Sequence, residues 1–226
     1  TNGQLLLKKA AVLEESGIKR INISLDTLNP LKVKQIARGG DLETVLAGIA
    51  KMQALGIKIK INMVPMRNQN LSDILRLLDF SLERDIELRF IELMRMGHLL
   101  HDSSYQQEFL SMQEILDEIA TVYSFQRADA PFDSTAVRFH IPDKGYFGII
   151  ANESEPFCTA CTRLRISSDG YLYGCLSSSR RQSLAELLEL PSHLVLPRLQ
   201  RLLVSALGDK QLSFQGETTV MKFIGG

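Results

Sequence analysis

The chain has three cysteines, and all of them fall in one stretch, FCTACTRLRISSDGYLYGCL, at positions 157–176. Thiolates are soft ligands and strong nucleophiles, so three of them this close suggest a shared metal or redox centre. The spacing is C-x2-C-x13-C, formed by Cys158, Cys161 and Cys175. The Asp-Gly pair at Asp169 and Gly170 is a strong hairpin signal, and a hairpin there returns Cys175 to the first pair. Four chemistries fit this pattern. A structural zinc site needs a fourth ligand, to be drawn from His98, His101, His140 or His193, none closely spaced to the cysteines. An iron–sulfur cluster usually takes four thiolates, and three leave one iron open to a substrate. A C-x2-C dithiol leaves Cys175 unexplained. Three small core side chains are the plainest alternative.

Two arginines follow the second cysteine. Alternate residues of an extended segment share a face, so Cys161, Arg163 and Arg165 point one way and Leu164 the other. The two guanidinium groups then stand about 7 Å apart along the strand. Paired planar forks suit phosphate oxygens. The alternative is a two-sided strand that exposes its charges to water.

The elements that must position these residues begin with a regular alternation. GQLLLKKAAVLEESG has helical apolar spacing at Leu6, Ala10 and Leu13, with Gly17 as the stop. DLETVLAGIAKMQALG repeats it with Leu42, Val45, Leu46 and Ile49, capped by Asp41 and ended by Gly56. A third helix is expected over NLSDILRLLDFSLERD, with Leu71, Ile74, Leu75, Leu78 and Leu82 on one stripe and Asn70 as its N-cap. IKRINISL, IKIKINMV and IELRFIEL read as strands between them, hence parallel pairing in an α/β sheet or barrel.

Parallel strands usually bury both faces. Here Lys58, Lys60 and Asn62 oppose Ile57, Ile59, Ile61 and Met63, and the other two strands alternate in the same way. The polar faces look either into a barrel lumen that holds a polar ligand or onto the wet side of an open sheet. After Met94 the alternation stops, which divides the chain into residues 1–94 and 95–226. A helix over SMQEILDEIATVYS, two short strands around PDKG, and two helical stretches near 182–190 and 193–206 are expected in the second region.

Lys and Arg number 26, as do Asp and Glu, so no broad basic surface for nucleic acid or anionic membrane is expected. No apolar run reaches the roughly 18 residues of a membrane span. Clustered rather than dispersed cysteines favour a reducing compartment. The opening TNGQLLLKKAAV has neither an initiator Met nor a signal-peptide pattern, and it reads as a chain cut from something longer.

PFCTACTRLRISSDGYLYGCL resembles the second cluster motif of the molybdenum cofactor biosynthesis protein A family, radical S-adenosylmethionine enzymes that act as GTP 3′,8-cyclases. TNG, INISLDTLNP, IKIKINMVPMRNQN, LRFIELMRMG and the terminal IGG resemble further blocks of that family in the same order. The resemblance implies the C-terminal half of an incomplete (βα)6 TIM-like barrel over residues 1–94. An α+β iron–sulfur domain follows over 95–226. It implies a [4Fe–4S] cluster on Cys158, Cys161 and Cys175, and GTP contacts at Thr1, Lys60, Arg163, Leu164 and Arg165. S-adenosylmethionine contacts fall at Ser24 and Met94, at strand ends, as does Lys60. Gly225 and Gly226 match a glycine tail that enters the active site. A homodimer in the cytoplasm, with cyclic pyranopterin monophosphate synthase acting next in the pathway, is expected, and neither nucleic acid nor membrane as partner. The family's first cluster motif, C-x3-C-x2-C, is not in this sequence. The chain by itself is therefore expected to leave an unpaired edge at IKRINISL and to be unable to cleave S-adenosylmethionine.

Overall fold

The computed structural model describes residues 1–36, 39–96, 99, 101–132, 134–176 and 178–211. Two compact units emerge. One comprises Thr1–Leu93 with Glu108–Ala151, the other Met94–Gln107 with Asn152–Gly226.

In the first unit α1 (Leu6–Glu15) precedes β1 (Arg20–Ser24). Next come α2 (Pro30–Ile36), α3 (Leu42–Ala54), β2 (Lys58–Met63), α4 (Ile74–Leu82) and β3 (Glu87–Ile91). The chain then passes through α5 (Tyr105–Glu108), most of which belongs to the second unit, and returns with α6 (Met112–Ala120), β4 (Gln126–Ala128), β5 (Val137–Ile141) and β6 (Gly145–Ile150). The sheet order is β1-β2-β3-β6-β5-β4. The first four strands in that order pair in parallel and the last three antiparallel. The architecture is a mixed α/β fold with a parallel sheet. By compactness, residues 108–151 group with the first sheet and not with the cysteine region. The apolar alternation of β6 pairs it with β3, Leu88 to Phe147 and Phe90 to Ile149, and so extends the first sheet.

Helix starts and stops follow their local chemistry. The Asp41 carboxylate accepts from Thr44 N at 2.7 Å, and Gly56, at φ +71°, ends α3 with its N–H on Gln53 O at 2.9 Å. Gly17, also at φ +71°, ends α1. Ser111 and Glu114 form a reciprocal capping box at α6. One sheet face carries the buried Ile23, Ile61, Met63, Leu88, Phe90 and Phe147, packed under Val45, Ile49, Met52, Ile74, Leu77 and Leu78 of α3 and α4. Burying each such side chain contributes about 1.5–3 kcal/mol relative to exposure. The buried stripe of α4 keeps Ile74 and Leu78 of the expected set and adds Leu77, while Leu71, Leu75 and Leu82 are only partly buried.

Asn70 stands at the N-cap of the 3-10 turn Leu71–Asp73 that leads into α4, as its position suggests, but its side chain makes no capping hydrogen bond. It is fully buried, and its side chain ties the loop after β2, in which it lies, to the loop after β1. Its Oδ1 accepts from Met66 N at 2.6 Å, and its Nδ2 donates to Asp26 O and Val64 O, both at 3.1 Å. Asn70→Ala strands one donor and two acceptors away from water. We expect a loss of about 3 kcal/mol, seen as a lower urea midpoint at unchanged m.

The outer edge of β1, expected to be unpaired, takes one residue of parallel pairing. The Thr1 amine donates to Asn22 O at 3.1 Å, and Ser24 N donates to Thr1 O at 2.8 Å.

In the second unit β7 (Arg165–Ile166), β8 (Tyr171–Tyr173) and β9 (Gln182–Ser183) form an antiparallel sheet, and α7 (Ser192–Gly208) follows. The helix expected near 182–190 is instead β9 and a 3-10 turn at Ala185–Leu188. Pairing of Gln182 with Leu172 and Ser183 with Tyr171 outweighs the helical spacing of the leucines, and Leu184 and Leu187 pack into the small core regardless. Among the described residues no helix is long and apolar enough to cross a membrane.

Candidate functional site

The cysteine segment folds as its turn residues dictate. Gly170 takes φ +83°, which glycine adopts without strain, and donates its N–H to Ser167 O at 3.0 Å. Ser167 N donates to Tyr171 O at 2.9 Å, and the Ser167 hydroxyl meets the Asp169 carboxylate. The strands pair Ile166 with Leu172 and Arg165 with Tyr173. The same register, continued toward the open end, sets Arg163 level with Cys175. At the other arm a 3-10 turn, Cys158–Ala160, closes on a Cys161 N to Cys158 O bond of 3.2 Å and folds the C-x2-C pair together.

None of the three thiols is in a disulfide, and all are half-buried. Burial pushes the Cys158 thiol up, and Cys175 and Cys161 push the same way, so the three sulfurs lie within electrostatic reach. Burial also acts upward on Cys161. The Arg163 backbone N–H, the Lys210 ammonium and the Arg163 guanidinium outweigh it, and the net direction is down. Burial pushes Arg165 down, opposed by the charges of Cys161 and Cys175. Arg163 also lies over the Phe157 ring, 5.6 Å from its centroid. Leu164 turns the other way and packs against Leu172, Leu202 and Ala206. One strand thus presents two guanidinium groups beside three thiols while its leucine anchors it.

Three thiols outside any disulfide, one biased toward thiolate and all with cations nearby, match the chemistry of a metal group held by cysteine sulfur. Among the described residues no set of three or more His, Cys, Asp or Glu side chains is drawn together at metal-binding distance. Of the histidines considered as a fourth ligand, His140 lies tilted against Tyr146 in the first unit, ring centroids 4.7 Å apart, and His98 lies outside the described residues. Gly225 and Gly226 also lie outside them.

The remaining predicted residues fall in two places. Thr1, Ser24 and Lys60 belong to the first unit, and Met94 to the second. Ser24 ends β1 and lines a cavity of about 260 Å³ with Asn2, Asp26 and Thr27. Burial raises the Asp26 carboxyl, against a hydrogen bond from Val64 N that lowers it. Lys60 is not at a strand end. It is the third of six residues in β2, and its ammonium pairs with Glu87 at 2.6 Å. Glu87 also meets Arg138 at 3.1 Å, and Arg89 Nε donates to Asn62 Oδ1 at 3.0 Å. The polar strand face is therefore laced across the sheet. Lys60 lines a cavity of about 550 Å³ with Arg20, Lys58, Arg84 and Lys144. Met94 follows β3 and accepts from Met96 N at 2.9 Å.

Sequence reasoning missed Lys210, whose ammonium lies 3.6 Å from Cys161 Sγ. No motif marks it, because it reaches the site from beyond α7. It missed as well the buried group behind Ser24, where Asp73 accepts from Thr27 at 3.0 Å and pairs with Lys32 at 2.6 Å.

This chemistry has close counterparts. The profile of the Molybdenum Cofactor Synthesis C family matches residues 86–215, and that of the Radical SAM superfamily matches residues 1–81. The chain belongs to the molybdenum cofactor biosynthesis protein A family. A GTP 3′,8-cyclase of Campylobacter fetus is 38% identical over 186 residues, covering 82% of this chain and 56% of that protein. One from Listeria monocytogenes is 39% identical over 180 residues, covering 78% and 54%. One from Synechocystis is 36% identical over 176 residues, covering 78% and 53%. The chain thus spans about half the length of the curated relatives it matches. Within the family, the matched C-terminal region contains the whole cysteine–arginine hairpin.

Proposed function

We propose that the protein carries out the GTP 3′,8-cyclase step of molybdenum cofactor biosynthesis, converting GTP to 3′,8-cyclo-7,8-dihydro-GTP with S-adenosylmethionine as the radical source. The observation that carries this reading is the hairpin. It sets Arg163 and Arg165 on the strand that also bears Cys161, with Cys175 on the returning arm. The names of the relatives support it. A [4Fe–4S] cluster on Cys158, Cys161 and Cys175 would keep one iron free of protein thiolate and open to a substrate atom.

The chain's own groups would bind and orient the substrate. Arg163 and Arg165 supply fixed planar donors for phosphate oxygens. Leu164, seated in the core, holds that strand at a constant height. Thr1 and Lys60 would add GTP contacts, and Ser24 and Met94 would contact S-adenosylmethionine. The four parallel strands with one polar face support a partial TIM-like barrel followed by an iron–sulfur domain. A second cluster in the rest of the protein, a cytoplasmic homodimer and hand-over to cyclic pyranopterin monophosphate synthase complete the proposal.

Arg165→Ala in the full-length protein tests it. Loss of a charge-assisted contact of roughly 1.5–3 kcal/mol should weaken GTP binding at least tenfold by isothermal titration. Iron content should not change. Arg163→Ala should weaken binding as well, but Arg163 also bonds Cys161, which makes Arg165 the cleaner probe. Wild-type affinity in both variants would reduce the pair to surface charge.

A further inference from the structure

A hairpin with two paired positions is marginal by itself. The cysteine hairpin pairs Arg165 with Tyr173 and Ile166 with Leu172. Its open end, where Cys161 and Cys175 lie, is beyond that pairing and needs another tie.

Lys210 supplies one. Helix α7 ends with Asp209 N–H on Ser205 O and Ala206 O, each at 3.2 Å, and Lys210 N donates to Leu207 O at 3.3 Å. The backbone closes the helix, and the Lys210 side chain turns into the hairpin. Its ammonium donates to Arg163 O at 2.6 Å, to Gly174 O at 3.1 Å, and lies 3.6 Å from Cys161 Sγ. An ammonium has three protons, and here it meets three acceptors. Arg163 lies on the arm of Cys161, and Gly174 immediately precedes Cys175 on the other. The three contacts therefore cross the open end and finish on a sulfur.

We propose that Lys210 is a positioning residue, a cationic clamp that pins the two arms of the cysteine hairpin together and orients the Cys161 sulfur. That Cys161 ligates a metal rests on the function proposed above; the clamp does not.

The test compares wild-type, Lys210→Met and Lys210→Arg in the full-length protein purified without oxygen. Two readouts are taken: amide hydrogen exchange across residues 161–165 and 173–176, and the rate of iron release to bipyridyl. Loss of charge-assisted bonds predicts exchange and iron release each about tenfold faster in Lys210→Met. Lys210→Arg, which keeps charge and donors, should recover most of both. Amides around Leu202 and Ala206 in α7 are the internal reference. Unchanged hairpin exchange in Lys210→Met overturns the clamp. So does equal acceleration in hairpin and α7, or failure of arginine to rescue. A wild-type protein without iron overturns the metal reading, and the exchange comparison still decides the clamp.

Discussion

On the function proposed above, Cys175→Ser in the full-length protein should lose the iron and sulfide that this hairpin would hold and should stop forming the cyclised nucleotide. A serine hydroxyl does not ionise near neutral pH, so the variant would offer a cluster no anionic ligand at this position. Cys158 and Cys161 lie on one arm and Cys175 alone on the other, so its loss removes the whole contribution of the returning strand. The fold should survive, because Cys175 is half-buried and the core of the unit lies at Leu172, Leu202 and Ala206. Anaerobic iron, sulfide and zinc analysis per chain, with the rest of the protein's metal counted from a wild-type control, gives the answer. Full retention of iron and sulfide would remove Cys175 from the ligand set. One zinc per chain, with no iron lost on substitution, would turn the site into a zinc-stabilised binding module.

Much of this site is legible in the sequence because its information is local. Asp169-Gly170 can make few structures other than a tight turn, and the register it sets carries Cys175 back toward Cys161. Alternation along Cys161–Arg165 separates the guanidinium groups from Leu164, and the leucine lies in the core as that alternation requires. The polar strand faces are legible for the same reason. Their partners are not. Lys60 finds Glu87, and Glu87 finds Arg138, through a register between strands far apart in the chain. Asn70 looks like a helix cap because it precedes a helical stripe. Burial against three backbone groups gives it another task. Lys210 is the extreme case: an unremarkable lysine after a helix, recruited by where that helix ends.

Gly174→Ala tests how that helix end is held, and its effect should reach the cysteines. An added Cβ would overlap Ala206 O and stand 2.7 Å from Ala206 C. Both are backbone atoms inside the last turn of α7, so no side-chain rotation relieves the contact. The helix end must move by more than an ångström, or β8 must. Either motion separates Leu172 from Leu202 and Ala206, the buried centre of this small core. It also withdraws Lys210, which reaches the hairpin from just beyond that turn. Overpacking alone costs about 1–3 kcal/mol, and the lost core and ammonium contacts add to it. Gly208→Ala is the control: it lies in the same helix with no atom within 4 Å of an added Cβ. Alanine there should be neutral or stabilising by up to about 1 kcal/mol through helix propensity. Calorimetry of the full-length protein should show Gly174→Ala alone lowering the second unit's transition, with iron per chain falling in parallel. Equal stability and iron content in the two variants would mean that α7 does not rest on Gly174 and does not hold the cysteine site in place.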